Sequence, residues 1–205
     1  MARLPYRIWA LHDNLQSLQS LVEAGPMARH LRGVGKTGQR RGDAVAGFDL
    51  GQGSSLRLRR KRGEGSQAIG RSRGGRTTKI HALSDPLCRP IVFHLTPGQD
   101  ADIAAAPEVL ALAPHMGSLL ADKGYDGDGL RAQIAERGAK PVIPNKSNRI
   151  NLHRFNKRAY RGRNVIERCF CRLKDYRRVA TRYDKLAENF LSAVYLTAIV
   201  AYWLN

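Results

Sequence analysis

Acidic residues are scarce in this sequence: 17 Asp and Glu stand against 35 Lys and Arg in 205 residues, for a formal net charge of +18. An excess of that size favours a polyanionic partner, most often nucleic acid. Charge alone carries no chemistry, because structural RNA-binding proteins show the same balance. Cysteine is scarcer still, with Cys88, Cys169 and Cys171 making an odd set without C-x-x-C spacing. That argues against a disulfide scaffold and a structural zinc site, and leaves free buried thiols in a reducing cytoplasm. Positions 169 and 171 would point to different sides of a helix. Long apolar runs are also missing. The opening MARLPYRIWALHDN lacks the apolar core of a signal peptide, and the stretch Phe190 to Leu204 is too short to span a bilayer. It reads as a buried core helix, and no membrane partner is expected. Neither an internal repeat nor a clear helix-turn-helix reader is present.

What is there changes texture along the chain. Residues 6 to 23 place Ile8, Leu11, Leu15, Leu18 and Val22 at helical spacing. Between Met27 and Gln67 come ten basic residues and nine glycines, with the cluster RLRRKR at 57 to 62. That composition reads as loop or disorder, except that Ala44 to Leu50, AVAGFDL, is compatible with a short strand ending near Asp49. Residues 1 to 63 are therefore expected as an atypical basic segment, and 64 to 205 as the ordered domain. After Gly70, Thr77 to Leu83 and Pro90 to Leu95 predict a hairpin across SDPLCRP. Ala101 to Ala113 predicts a helix interrupted or restarted at Pro107. Gly117 to Ala121 predicts a short strand, Asp128 to Arg137 a helix and Lys140 to Pro144 a further strand. Residues 145 to 157 form a basic loop, and from Ala159 the pattern is helical to the terminus with a break at Thr181 to Asp184. Hairpin and crossover links together give an α/β class.

Chemistry concentrates in the last third. Tyr160, Arg163, Glu167 and Lys174 follow the pattern Y-x2-R-x3-E-x6-K. At about 100° per residue they fall near about 0°, 300°, 340° and 320° of a helical wheel. Val165, Ile166, Phe170 and Leu173 cover roughly 140° to 280°, so the polar stripe borders the buried face. Spacing alone fits an ordinary charged surface helix equally well. Asp122 is predicted at the carboxyl end of a buried strand, where α/β folds place functional groups. An aspartate there can equally cap the turn that follows. Two acids distant in sequence, one at a strand end and one on a packing helix, suit a divalent-metal site. His81 and His94 are expected to pack or hydrogen-bond, and Gln99 and Asp100 to support the site from its rim.

GRSRGGRTTKIHALSD (70 to 85), LTPGQDAD (95 to 102), ADKGYD (121 to 126), AERGAKPVIP (135 to 144) and RGRNVIERCFCRLKDYRRVATRYDKLAENF (161 to 190) together resemble bacterial insertion-sequence transposases of the DDE type with the Y-R-E-K signature. The resemblance is collinear over residues 64 to 205. It implies an RNase H-like mixed sheet with packing helices and a helical C-terminus. It further implies three acids holding two Mg2+ ions, with Mn2+ as a substitute. Asp122 would be the second acid and Glu167 the third. One metal would activate a water or a DNA 3′-hydroxyl, and the other would stabilise the leaving oxygen. Tyr160, Arg163 and Lys174 would face phosphates beside Glu167, since a guanidinium holds two phosphate oxygens and an ammonium acts as a point charge. Arg71 and Arg73 are candidate phosphate contacts, or part of a solvated turn. Implied partners are DNA, both the terminal inverted repeats and the target, and a second copy of the chain in a synaptic complex. The implied location is the bacterial cytoplasm, associated with the nucleoid when DNA is bound.

The first acid departs from the family pattern, which places an aspartate followed by small hydroxyl residues upstream of G-R-S-R-G-G. Here the region reads AVAGFDLGQGSSLRLRRKRGEG. Asp49 is the nearest candidate and Asp43 a poorer one. Asp49 is either the first acid on a diverged strand or a chance residue in a segment joined by a shifted reading frame; translating the other two frames of the DNA distinguishes these. The expected function is metal-dependent strand cleavage and transfer at mobile-element ends. The alternative is a DNA-binding remnant that lacks the first acid.

Overall fold

The structure, a computed structural model, describes residues 43–53, 67–72 and 75–204; of the strand at 43–53 it describes the backbone and, among side chains, Ala44. The expected helix at 6 to 23 and the basic cluster at 57 to 62 lie outside the described residues. Seven strands form one sheet: β1 (Asp43–Gly53), β2 (Gly70–Ser72), β3 (Gly75–Ser84), β4 (Pro90–Pro97), β5 (Ser118–Leu120), β6 (Lys140–Val142) and β7 (Thr181–Arg182). The helices are α1 (Ala106–Leu112), α2 (Asp128–Glu136), α3 (Lys157–Tyr160), α4 (Asn164–Lys174), α5 (Arg177–Ala180) and α6 (Ala187–Ala198).

β1 lies at the centre. It pairs antiparallel with β3 from Val45↔Ser84 to Gln52↔Thr77 and parallel with β5 from Asp43↔Ser118 to Val45↔Leu120. β4 extends the sheet antiparallel beyond β3, and β6 extends it parallel beyond β5. Three antiparallel strands followed by two parallel ones, with β1 in the middle, is the RNase H-like arrangement. The expected strand at 44 to 50 is thus real and longer at both ends, despite Gly47 and Gly51 within it.

Strand alternation divides the core into two layers. On one face Leu83, Val92 and Leu119 meet Val109 and Leu110 of α1 and Leu130 and Ile134 of α2. On the other, Ile80, Ala82, Phe93, Leu120 and Val142 meet α4, Val179 of α5, and Phe190 and Val194 of α6. α4 buries Val165, Ile166, Cys169, Phe170 and Leu173. Each fully buried large side chain stabilises by about 1.5–3 kcal/mol relative to exposure, so packing fixes this helix far more firmly than its surface charge pairs.

Local signals set most boundaries. Pro107 falls at the start of α1, after a 3-10 turn at Asp102–Ala105, so it restarts the helix. α2 ends where Gly138 adopts φ +74, with Ala139 N–H donating to the Ile134 carbonyl at 3.1 Å. This closure favours glycine and turns the chain into β6.

Three expectations need correction. The C-terminal third is interrupted earlier than Thr181: residues 161–163 form a 3-10 turn, and α5 begins at Arg177 after α4 has ended at Lys174. Residues 181–182 then form β7, paired parallel with Gln52 and Gly53 of β1. The helix after Phe190 is buried on one side only, since Leu196, Val200 and Leu204 are exposed. Of the cysteines, Cys169 is buried, Cys88 half-buried and Cys171 exposed. Among the described residues no helix is long and apolar enough to cross a membrane.

Candidate active site

Asp122 follows β5 directly, in extended backbone, and its Oδ1 accepts from the Gly124 amide at 2.8 Å. It therefore caps the 3-10 turn at Lys123–Tyr125. That turn is fixed from below. The Tyr125 hydroxyl lies 3.0 Å from His81 Nδ1, and His81 Nε2 lies 2.8 Å from Thr96 Oγ1. Burial, helped by the positive fields of His94 and Lys79, pushes His81 down to about 3, so its ring is neutral and supplies one donor and one acceptor. Burial, with Asp102 and Asp122 nearby, pushes the Tyr125 hydroxyl up. It stays protonated.

Beside this column Lys79 Nζ donates to Asp102 Oδ1 at 2.7 Å and to the Asp100 carbonyl at 2.6 Å. A Cβ on Gly124 would lie 2.9 Å from Asp122 Oδ1 and 3.0 Å from Asp102 Oδ2. Glycine is what lets both carboxylates approach the turn. Of the two residues expected at the rim, the Asp100 carbonyl holds Lys79, and the Gln99 side chain lies across Gly70. Lys79 and Asp102 were not singled out by sequence reasoning, although a lysine and a histidine two apart, and so on one face of a strand that continues Ile80, Ala82 and Leu83, offered a signal.

The second wall is the segment carrying the signature residues. Arg163 donates to Glu167 Oε1. The Arg163 guanidinium lies 5.9 Å from the centre of the Tyr160 ring, and that ring packs edge-on against Phe155. Tyr160, Arg163 and Glu167 thus form one continuous stack. Glu167 keeps 58 % of its side chain exposed. Lys174, at the C-terminal end of α4, is exposed two turns further along. The 161–163 turn rests on β5, since a Cβ on Gly162 would lie 3.5 Å from Leu120 Cδ2. The turn that leads into the Glu167 helix therefore meets the strand that leads to Asp122.

For the first acid the structure gives a register. Asp43 lies opposite Ser118, at the start of β5. Val45 lies opposite Leu120 at its end, so Asp49 stands beyond that end, on the side where Asp122 leaves the sheet. Its side chain is outside the described ones. Among the described residues no three His, Cys, Asp or Glu side chains come close enough to hold a metal ion. Arg71 is exposed on β2, opposite Arg76, and Arg73 lies outside the described residues.

A second polar centre lies four residues past Asp122. The Asp126 carboxylate is fully buried and accepts from Arg131 Nε and Nη2, Arg149 Nη1 and the Lys146 amide, all at 2.8 to 3.0 Å. Burial alone would raise its pKa. The hydrogen bonds from Lys146, Arg131 and Arg149 outweigh that and hold the carboxyl below the usual carboxylate range. Because the folded value lies below the unfolded one of about 3.9, this stabilisation is complete above about pH 4 and is lost as pH falls through the folded value. Acid titration of thermal stability should show a loss at low pH that shrinks in Asp126→Asn; an unchanged acid limb would rule this group out as its source.

Residues 53–204 match the family described as transposase DDE domain. The chain is 36% identical over 130 residues to a Brucella ovis protein assigned as a transposase for insertion sequence element IS6501, covering 63% of this chain and 99% of that protein. Among solved structures it overlaps a Mos1 transposase paired-end complex with left transposon end (12% identity, 100% of this chain, 82% of that chain, TM-score 0.34) and a pre-cleavage Mos1 transpososome (12% identity, 97% and 78%, TM-score 0.35). With most of its length inside the family match, and with a 36% identical relative covered almost end to end, the chain belongs to the transposase DDE domain family.

Proposed function

We propose that this chain cleaves and joins DNA at the ends of a mobile element, using a divalent metal held by Asp122, Glu167 and Asp49. What supports the reading is that the 161–163 turn, which lies between Tyr160 and Glu167, rests on Leu120 of β5, the strand that leads to Asp122.

The donors fit a hard cation. Asp122 commits Oδ1 to Gly124, and its Oδ2 accepts no hydrogen bond among the described residues. Glu167 is half in solvent with Arg163 beside it. A few carboxylates with room for water and phosphate oxygens are what magnesium prefers. Bound there, the metal supplies Lewis-acid stabilisation of a phosphoryl oxygen. In this reading Arg163, whose guanidinium offers a planar pair of donors, would grip a phosphate, Tyr160 would orient it, and Lys174 would add a point charge further along the strand of DNA. Register supports Asp49 over Asp43, which stands at the far end of β5. The family match begins at residue 53, so Asp49 rests on register alone. A second copy of the chain would pair the two element ends, and the setting would be the bacterial nucleoid.

The test is incubation of the protein with a duplex carrying the terminal repeat that flanks its own coding region. Magnesium-dependent nicking at the repeat end, stopped by chelator, supports the enzyme. Retention of the duplex without nicking supports the rival reading, a DNA-binding remnant. That rival is favoured by one feature: Leu50 and Gly51 follow Asp49 where the family pattern has small hydroxyl residues.

If the Asp122 turn sets the rate, Gly124→Ala should slow nicking by about tenfold, because its Cβ displaces a carboxylate oxygen and misplaced groups cost that much or more. Melting should shift by only about 1 kcal/mol equivalent. Equal nicking rates would separate Gly124 from the chemistry.

A further inference from the structure

Between β6 and α3 the chain makes a basic loop, built around two polar clasps. Asn145 closes its base: its Nδ2 donates to the His153 carbonyl at 2.9 Å, and its Oδ1 accepts from the His153 amide at 3.0 Å. Arg149 fills its centre, donating to Asp126, to Asp128 and, at 2.7 Å, to the Asn151 carbonyl. His153 adds a contact to Asp128 at 2.7 Å. The loop is thus tied at one end to the turn that follows Asp122. Its other end enters α3 through Asn156, whose side chain accepts from the Arg158 and Ala159 amides, and so leads into the Glu167 stack.

This polar framework holds up an apolar tip. Ile150 is 94 % exposed and Leu152 72 % exposed. Folding gains nothing from two large aliphatic side chains placed in water, and in the chain they are flanked by Lys146 on one side and by the exposed Arg154, Lys157 and Arg158 on the other. A bare protein-binding patch would not need cations on both flanks. Basic residues to either side of a projecting aliphatic tip match the chemistry of DNA, where cations hold the phosphates and apolar side chains insert between unstacked base steps.

We propose that the clasped loop at 145–153 is a wedge that inserts Ile150 and Leu152 into the base stack of duplex DNA beside the Asp122–Glu167 cleft, opening the helix next to the strand to be cut. The inference rests on the reading of DNA as partner. It requires no cleavage, so it holds for an active enzyme and for a remnant alike.

The experiment uses the full chain and terminal-repeat duplexes in which each adenine in turn is replaced by 2-aminopurine, whose fluorescence rises on unstacking. Wild-type protein should raise the signal at one or two adjacent positions by about threefold, and Ile150→Ser/Leu152→Ser should lose that rise, because the cost of unstacking is then no longer offset. A mismatch at the same position, which prepays unstacking, should restore the double variant's affinity to the wild-type value. Both side chains are exposed, so melting of the variant should match wild type. Wild-type binding without a fluorescence rise, or an equal rise with the double variant, overturns the wedge and leaves the DNA reading intact. Failure of wild-type protein to retain any duplex overturns the DNA reading and the wedge with it.

Discussion

Glu167→Gln should reduce nicking of terminal-repeat DNA by about a thousandfold, equivalent to about 4 kcal/mol of barrier, while melting temperature and DNA retention stay near wild type. The size follows from replacing a charged metal donor by a neutral amide. The insensitivity of the fold follows from exposure: Glu167 keeps 58 % of its side chain in solvent, and among the described residues its ion pair is the i,i+4 one to Arg163. Such pairs contribute about 0.3–0.5 kcal/mol. Glutamine can still accept from Arg163, so the stack with Tyr160 persists. The same pattern is expected for Asp122→Asn, since the amide oxygen can still accept from the Gly124 N–H and keep the turn capped. Nicking by Glu167→Gln within tenfold of wild type would remove this residue from the metal site.

Arg182→Met should destabilise the fold by about 4 kcal/mol, read as a fall in the thermal or denaturant midpoint. Arg182 is 2 % exposed, and its guanidinium sits where the second half of the chain meets the start of the domain. It donates to the carbonyls of Gln67, Ala68, Asp184 and Lys185 and to Thr78 Oγ1. Phe190 lies 5.1 Å beneath it. Burial lowers its pKa to about 10, with the field of Asp184 opposing, and at neutral pH the cation persists. Methionine fills the volume but leaves the buried Gln67 carbonyl and the half-buried Asp184 and Lys185 carbonyls without this donor, while Ala68 keeps the Thr78 hydroxyl; a buried group so orphaned costs about 1–3 kcal/mol before relaxation. Arg182→Lys should recover only part of the loss, since an ammonium cannot span five acceptors. A loss below about 1 kcal/mol for Arg182→Met would mean that water replaces the guanidinium there.

The contrast between these two residues shows what sequence pattern can reach. Glu167 was legible because helical periodicity sets it on the border of an apolar face, and α4 keeps that face buried as predicted. The hairpin from Thr77 to Leu95 and the strand leading to Asp122 were legible for the same reason, alternation and a clear turn. Arg182 was not. Its value comes from five acceptors drawn from both ends of the domain, and no local pattern encodes them. The break after Lys174 and the strand at 181–182 were missed likewise, because β7 exists only through β1. The exposed side of α6 was missed because an apolar stretch signals burial without saying how many of its sides find a neighbour. At the candidate site, the acids came from motif and spacing. His81 was expected to pack or hydrogen-bond, but the partners came only from three dimensions: Tyr125 over His81, Asp102 beside Lys79, and the arginines around Asp126 at the root of the loop.

The position of β1 has a consequence for when the protein becomes a protein. Its central strand is among the earliest described segments to be synthesised, yet its ladder partners lie at Thr77 to Ser84, at Ser118 to Leu120 and finally at Thr181 and Arg182. Loops of that length must be closed before the contacts repay them, so the domain belongs to the slow, high-contact-order class of folders. A nascent chain stopped before residue 181 would carry Asp122 and the whole signature through Lys174, and still leave the far end of β1 without its β7 partner. The Arg182 clamp would be missing as well. Synthesis of residues 181 and 182 is thus a timing step for the cleft: its candidate acids are made before the sheet beneath them can close.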